Sequence, residues 1–227
     1  MRPVATAVVL LAGCNQFYGL TETTSRDGAV DATNFCFGDD FEDGVIDTAK
    51  WTVIYPGTTP LPVIETGGEL TMPIDAGVNF YNGVVSVPFD MTDAVLVVRM
   101  TPALLGGFTD TEANLDASAL AHYLTTIGNN HMNMKGVINN NAEVNLQLPY
   151  GTDLGFVRYR HVSADMVIHF ETSPEAIDWT LRRTSPVPYR VTAAQLTLLA
   201  GGFQTPPEAS VARYASVQLE AATCVVR

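Results

Sequence analysis

The feature that most constrains this chain is a series of short segments, from residue 51 onwards, that are rich in β-branched residues and separated by Gly, Pro, Asn and Asp. Branched and aromatic side chains favour strands, and turn residues at such short intervals favour antiparallel connections. The segments predicted as strands are 51–55, 69–72, 83–87, 94–100, 143–148, 156–161, 166–170, 179–182, 195–199 and 215–219. They predict an all-β domain, an antiparallel two-sheet sandwich or a barrel, over residues 34–227.

Residues 112–127 fit the strand pattern least well. The spacing of Leu115, Ala119, His122 and Tyr123 is also compatible with a short helix. We expect a loop here, followed by a strand at residues 119–125.

The first fourteen residues have the organisation of an export signal. Arg2 precedes an apolar run at residues 4–11, which is too short to cross a bilayer as a helix. The run ends in Leu11-Ala12-Gly13-Cys14, which resembles the lipobox of bacterial lipoproteins. The resemblance implies a signal peptide at residues 1–13 and a lipid on Cys14. An ordinary signal peptide that contains a cysteine is the alternative.

A lipid on Cys14 predicts attachment to the cell envelope, and Asn15 fits sorting to the outer membrane of a Gram-negative bacterium. Residues 14–33 are polar and small, so they bury too little surface to fold and are predicted to form a flexible tether. In an exported protein the two remaining cysteines, Cys36 and Cys224, are expected to form a disulfide between the first and last strands. Two separate thiols are the alternative.

The acidic balance of the chain limits its partners. The sequence has 12 Lys and Arg residues against 24 Asp and Glu residues, a formal net charge of −12. This charge argues against a nucleic acid partner and against a polybasic membrane patch. We therefore expect membrane attachment through the lipid anchor.

Four groups of residues carry a further resemblance. They are Gly-Asp-Asp-Phe-Glu-Asp-Gly at 38–44, Lys-Trp at 50–51, Gly-Gly-Glu-Leu-Thr at 67–71 and Asp-Trp-Thr-Leu at 178–181. These are similar to strands of concanavalin A-like lectin/glucanase sandwiches, especially their laminin G-like relatives. The resemblance implies a jelly-roll sandwich with Trp51 and Trp179 in its core. Residues 174–177 replace the Asp-Gly turn of that family, so we expect a wider hairpin there.

The sequence does not suggest a catalytic site. Glycosidases of the related laminarinase type place two carboxyl groups at alternating positions of one strand, because retaining hydrolysis requires them about 5–5.5 Å apart. Here Glu112 and Asp116 are predicted to lie in a loop, and the acidic residues of 39–47 in the opening turn. We assign no catalytic residue and predict that the domain is not an enzyme.

Binding sites are also weakly indicated. Asp40 and Asp43 are weak candidates for a calcium site, and no other cofactor is expected. The amide-rich residues 129–141 suggest a polar binding face or, more simply, a hairpin with Asn turns. The histidines, which lack the spacing of metal ligands, are His122, His131, His161 and His169. Weak candidates for a sugar-stacking surface are Tyr55, Tyr81, Tyr123, Tyr150 and Tyr189.

Together these features predict an envelope-anchored, non-catalytic module that binds a glycan or an envelope or extracellular partner. The alternative is a structural or protein-interaction lipoprotein with no small ligand. A divergent glycoside hydrolase is a third hypothesis, and it requires two carboxylates that face each other across a cleft.

Overall fold

The computed structural model describes residues 34–54, 61–77, 79–103, 109–151, 154–202, 206 and 208–221. The strands in these ranges are β1 (Asn34–Asp39), β2 (Trp51–Ile54), β3 (Ile64–Thr66), β4 (Glu69–Ile74), β5 (Tyr81–Ser86), β6 (Val95–Thr101), β7 (Thr109–Ser118), β8 (Ala121–Gly128), β9 (His131–Ile138), β10 (Asn141–Ala142), β11 (Leu146–Pro149), β12 (Phe156–Val162), β13 (Val167–Ser173), β14 (Thr180–Pro186), β15 (Gln195–Gly202) and β16 (Ser210–Ala221). Within the same ranges, we find no helix with the length and apolar character needed to cross a membrane.

The strands form two eight-stranded antiparallel sheets. Sheet 1 has the order β14-β13-β12-β6-β16-β4-β3, with β1 also paired to β16. Sheet 2 has the order β10-β9-β8-β7-β15-β5-β2, with β11 also paired to β9. The predicted all-β, two-sheet antiparallel architecture is confirmed.

The core lies between the sheets and follows from the two-residue period of the strands. On β6 the buried side chains are Leu96, Val98 and Met100, and on β15 they include Leu196 and Leu198. Both sets belong to one continuous apolar cluster. Trp51 is 2% exposed and belongs to the same cluster, as predicted.

Three buried tyrosines hydrogen-bond from one sheet to the other. Tyr123 of β8 donates to the carbonyl oxygen of Pro186 over 2.7 Å, and Tyr159 of β12 donates to that of Ala113. Tyr214 of β16 reaches β7 in the same way. Since a buried hydroxyl needs a partner, these bonds favour one alignment of the two sheets.

An ion pair joins the sheets along one side. Glu143, between β10 and β11, accepts hydrogen bonds from Arg183 over 2.8 Å and from Ser185 on β14. Burial opposes the charge of Glu143, but these donors hold the pKa of its carboxyl below the usual value. Residues 143–145 form a connection between strands. The strand predicted at 143–148 therefore begins only at Leu146.

The outer face of sheet 1 carries a second buried charge cluster. Glu171 accepts hydrogen bonds from Arg158 over 2.6 Å and from Arg160 over 2.7 Å. The guanidinium of Arg158 lies 4.1 Å from the ring centroid of Trp179. The predicted core position of Trp179 is therefore wrong, because Trp179 packs on the half-buried Arg158 outside the sandwich.

The turns bear out two expectations. Asn129-Asn130 and Asn139-Asn140 have positive φ values of 51°, 59°, 52° and 62°, as type I′ hairpin turns require, which supports the simpler interpretation of the amide-rich segment. The connection between β13 and β14 is wide, and Ala176 within it has a φ of 59°.

The first and last described strands are neighbours, since Asn34 of β1 pairs with Ala221 of β16. Cys36 lies on β1 and packs against the core. Cys14 and Cys224 lie outside the described residues, so the lipid attachment and the Cys36–Cys224 disulfide stay predictions.

Candidate functional site

Residues 112–118, which were expected to form a loop, belong to the ten-residue strand β7. A two-residue turn connects β7 to β8. The alternate side chains of β7 point to opposite faces of the sheet. The core-facing set is Thr111, Ala113, Leu115 and Ala117, and every member is buried. The outward set is Asp110, Glu112, Asn114 and Asp116. A line of three carboxyl groups and one amide therefore runs along one face of the strand.

The expectation that Glu112 and Asp116 lie in a loop is wrong for a packing reason. The core-facing Ala113 is small, and the side chain of Tyr159 extends from sheet 1 to the backbone at this point. Alanine, aspartate and asparagine are poor strand formers by propensity, so tertiary packing decides the conformation of β7.

Glu112 is the central carboxyl of this line. Its Oε2 accepts a hydrogen bond from the Nδ2 of Asn114 over 2.6 Å. Burial raises the pKa of Glu112, and the neighbouring Asp110 raises it further, against the lowering effects of Asn114 and Lys135. Glu112 therefore keeps a proton to higher pH than an exposed glutamate does.

Asp110 lies at the first outward position. Its Oδ2 accepts a hydrogen bond from the hydroxyl of Tyr81 over 2.8 Å. Burial raises the pKa of Asp110, and this bond partly offsets the effect. Its neighbour across the strand pair is Gly128, where an added Cβ would lie 2.3 Å from Oδ1 of Asp110. The glycine thus leaves the space that this carboxyl occupies.

Asp116 lies at the other end of the line and is held by both neighbouring strands. Its Oδ1 is 2.6 Å from Nδ1 of His122 on β8, and its Oδ2 accepts a hydrogen bond from Thr197 on β15 over 2.9 Å. The Asp116 side chain remains 34% exposed. A cavity of about 340 Å³ adjoins it, lined by Asp116, Ser118, Ala119, His122, Ala193 and Gln195.

Glu112 and Asp116 lie on the same face of β7, four residues apart, with Asn114 between them. Cα atoms four residues apart on a strand are about 13 Å apart. The side chains of Glu112 and Asn114 are in direct contact. Asn114 between them is 7% exposed, and its Oδ1 accepts no hydrogen bond from the described residues. A buried side-chain oxygen without a donor is uncommon in folded proteins.

The candidates named from the sequence lie elsewhere. Asp40 and Asp43 belong to the 40–47 turn, where each accepts a hydrogen bond from the backbone two residues on. Tyr81 is the one tyrosine candidate placed beside the carboxyl line, through Asp110. Tyr123 is fully buried, Tyr150 and Tyr189 are half-buried, and Tyr55 is outside the described residues.

The other histidines have local partners. His161 Nδ1 accepts a hydrogen bond from the backbone N–H of Asp93, while His131 and His169 contact Asn129 and Thr184. His122, beside Asp116, is the functional candidate that spacing along the sequence did not reveal. The alternation of Asp110, Glu112, Asn114 and Asp116 was the available signal for the whole site.

No protein-family description matches this sequence, and no curated protein matches it. Solved structures do. The catalytic domain of an endo-1,3-beta-glucanase (laminarinase) from Thermotoga petrophila RKU-1 superposes with a TM-score of 0.63 at 9% identity, over 85% of this chain and 99% of that one. The Bacillus licheniformis beta-glucanase superposes with a TM-score of 0.60 at 10% sequence identity, over 83% of this chain and 99% of that one.

The fold is a concanavalin A-like jelly roll. A LamA variant from Z. galactanivorans in complex with laminaritriose and laminaritetraose is also similar, with a TM-score of 0.62 at 14% identity, over 84% of this chain and 100% of that one. At these identities the likeness establishes the fold alone.

The comparisons correct two predictions. The domain was expected to be a non-catalytic binding module and not an enzyme, but the structures it resembles include catalytic domains of glucanases. The premise of that expectation is also wrong, since the strand β7 does carry carboxyl groups at alternating positions.

Proposed function

We propose that this domain is a glycoside hydrolase and that Glu112 and Asp116 are its two essential carboxyl groups. The observation that carries the proposal is the partly buried Glu112, whose pKa is raised, on the same face of an inner strand as Asp116. Glycoside hydrolysis uses two such carboxyls, one as a proton donor and one as a nucleophile or base.

The environments of the two carboxyls favour different roles. Because burial raises its pKa, Glu112 is the group that holds a proton for the leaving oxygen. Asp116 accepts a hydrogen bond from Thr197 and faces His122, which suits a charged carboxylate. Asp116 therefore attacks the sugar or activates a water.

A β-glucan is the proposed substrate class. The similar structures carry the names endo-1,3-beta-glucanase (laminarinase) and beta-1,3-1,4-glucanase (lichenase), and one further structure belongs to work on O-glycanases that initiate mucin breakdown. Laminarin, a mixed-linkage β-glucan and mucin are therefore the substrates to test first.

The test is release of reducing ends by the full chain and by two isosteric variants, Glu112→Gln and Asp116→Asn. Each variant is expected to lose at least about 1000-fold in kcat, because the carboxyl's proton or charge is removed while its shape is kept. Glu175→Gln, in the exposed turn after β13, is the control and should retain full activity. Absence of products from all three substrates, or equal activity of Glu112→Gln and the parent, would refute the proposal.

Proton NMR of the first product assigns the role of Asp116. Retention of the anomeric configuration identifies Asp116 as the nucleophile, and inversion identifies it as the base for a water. Asp110→Asn is included because Asp110 is the third carboxyl of the line. A smaller loss in Asp110→Asn than in Asp116→Asn is expected, since Asp110 is bound by Tyr81 on the side away from the cavity.

We also propose that the domain is attached to the cell envelope through a lipid on Cys14 and closed by a Cys36–Cys224 disulfide. The disulfide is supported by the pairing of Asn34 with Ala221, which brings the segments next to the two cysteines together. Intact mass of the envelope form tests both. A mass of residues 14–227 plus acyl chains, with a gain of about two protons on reduction, is expected. An unlipidated mass would contradict the anchor.

A further inference from the structure

We infer that His122 is a positioning residue for Asp116, and that its imidazole holds the Asp116 carboxylate in place. The inference rests on the proposed hydrolysis, since it gives one of the two carboxyls a dedicated partner.

The geometry places the two groups directly opposite each other. Asp116 on β7 and His122 on β8 are register partners, so their side chains leave the sheet on the same face. Nδ1 of His122 lies 2.6 Å from Oδ1 of Asp116, within hydrogen-bond distance. On the opposite side Thr197 of β15 donates to Oδ2. The carboxylate is therefore held between two neighbouring strands.

The histidine also reaches the space beside the carboxyl. His122 and Asp116 both line the cavity of about 340 Å³, and their side chains are 37% and 34% exposed. A substrate in this cavity would contact the pair directly.

The surroundings leave few competing charges. On β9 the register partner of His122 is the apolar Val137, and on β15 the residues that face Asp116 are the uncharged Gln195 and Thr197. On the next outward row of the sheet the charged residue is Lys135 on β9, and Glu112 on β7 lies one row further along. In the described part of the sheet, the row of Val137, His122, Asp116 and Gln195 therefore holds no other charged side chain.

The first test compares kcat and KM of His122→Asn and His122→Ala with those of the parent. His122→Ala should lose about 10- to 100-fold in kcat with little change in KM, because a hydrogen bond to a charged group is lost. His122→Asn keeps a neutral donor, so it should recover part of this loss. The control is His131→Asn, a partly exposed histidine bonded to the carbonyl oxygen of Asn129. It should match the parent.

A second test does not depend on activity. Crystal structures of the parent and of His122→Ala are compared. Without the imidazole, the Asp116 carboxylate should leave its position beside Thr197 or adopt more than one orientation. An unchanged Asp116 carboxylate in His122→Ala, or a His122→Ala kcat equal to the parent's, would overturn the inference. If no glycan is hydrolysed but Asp116 still moves, the proposed function fails while the positioning of Asp116 by His122 stands.

Discussion

The hydroxyl of Tyr214, on β16 of one sheet, donates a hydrogen bond across the core to the backbone carbonyl oxygen of Glu112, on β7 of the other, over 2.8 Å. The same hydroxyl lies 2.7 Å from the carbonyl oxygen of Leu199 on β15. Tyr214 is fully buried, so no water can replace it. The sheet that carries no proposed catalytic group thus fixes the backbone beneath the proposed acid.

Tyr214→Phe should lower the free energy of unfolding by about 1–3 kcal/mol, because buried carbonyl oxygens lose a donor. Urea unfolding measures the change. Tyr189→Phe also removes a tyrosine hydroxyl, but one near the surface that bonds the exposed Asn139. It should lower the free energy of unfolding by less than about 0.5 kcal/mol. Equal losses in the two variants would show that the hydrogen bond to β7 carries no special weight.

Gly128→Ala should disturb the Asp110 end of the carboxyl line. The added Cβ would lie 2.3 Å from Oδ1 of Asp110 and 2.5 Å from the carbonyl oxygen of Thr109. Overpacking of this kind costs about 1–3 kcal/mol. Gly155→Ala is the matched control, since its Cβ would lie 3.8 Å from the carbonyl oxygen of Pro174, an ordinary contact distance. Thermal unfolding of both variants measures the difference in their stability. A Gly128→Ala protein as stable as the parent would contradict the predicted overpacking.

Glu171→Ala should be strongly destabilising. Glu171 is 5% exposed in its side chain, and Arg158 beside it is 19% exposed. Although burial opposes its charge, the hydrogen bonds from Arg160 and Arg158 lower the pKa of Glu171. Removal of one partner of a buried ion pair costs about 3–5 kcal/mol.

The comparison for Glu171→Ala is Glu69→Ala, which breaks an exposed pair with Arg213 at 3.3 Å. An exposed pair contributes about 0–1 kcal/mol. Chemical denaturation of both variants should therefore separate them by at least about 2 kcal/mol. A Glu171→Ala loss no larger than that of Glu69→Ala would mean that the cluster is solvated.

The stability of the fold should depend on pH through Glu65 on β3. Glu65 is 7% exposed, and its Oε1 accepts a hydrogen bond from the backbone N–H of Gly44. Burial and the neighbouring Asp43 raise the pKa of Glu65 from 4.5 to about 7. Between these values the folded protein holds a proton that the unfolded chain has lost, so stability falls as the pH rises through this window.

Glu65→Gln removes this dependence, because the amide imitates the protonated acid. The variant should gain Tm relative to the parent at pH 8 and gain less, or none, at pH 5. Glu208→Gln, an exposed glutamate, should show no such difference. A Glu65→Gln protein whose Tm offset is the same at both pH values would disprove the raised pKa.

The sandwich could be predicted because most of its strands alternate large apolar and polar residues. Strand β12 is the clear case, with Val157 and Tyr159 buried and Arg158 and Arg160 outward. Strand β7 could not be predicted in this way, because its core-facing positions hold Thr and Ala beside a single Leu115, and its outward positions hold three acids and Asn114. Large tyrosines from the other sheet compensate for those small side chains, and such a relationship is invisible along one segment.

The wrong prediction that Trp179 lies in the core has a similar cause. The register of β13 and β14 shifts between Phe170 and Glu171, and a shift by one residue moves side chains to the opposite face. The sequence around the wide turn 174–179 does not indicate this shift. The carboxyl pair could not be predicted without β7. Glu112 and Asp116 face the same way only because residues 109–118 form a strand.

The pairing of Asn34 with Ala221 places the two ends of the described domain side by side. A chain that enters and leaves a fold at one point can be inserted into a loop of another protein without stretching either partner. The same proximity permits circular permutation, with a short linker between the ends and new ends at the exposed Asn139-Asn140 turn. The sandwich is thus a module that can be joined to other proteins at one point, and its carboxyl line lies on the inner strand β7, away from that point.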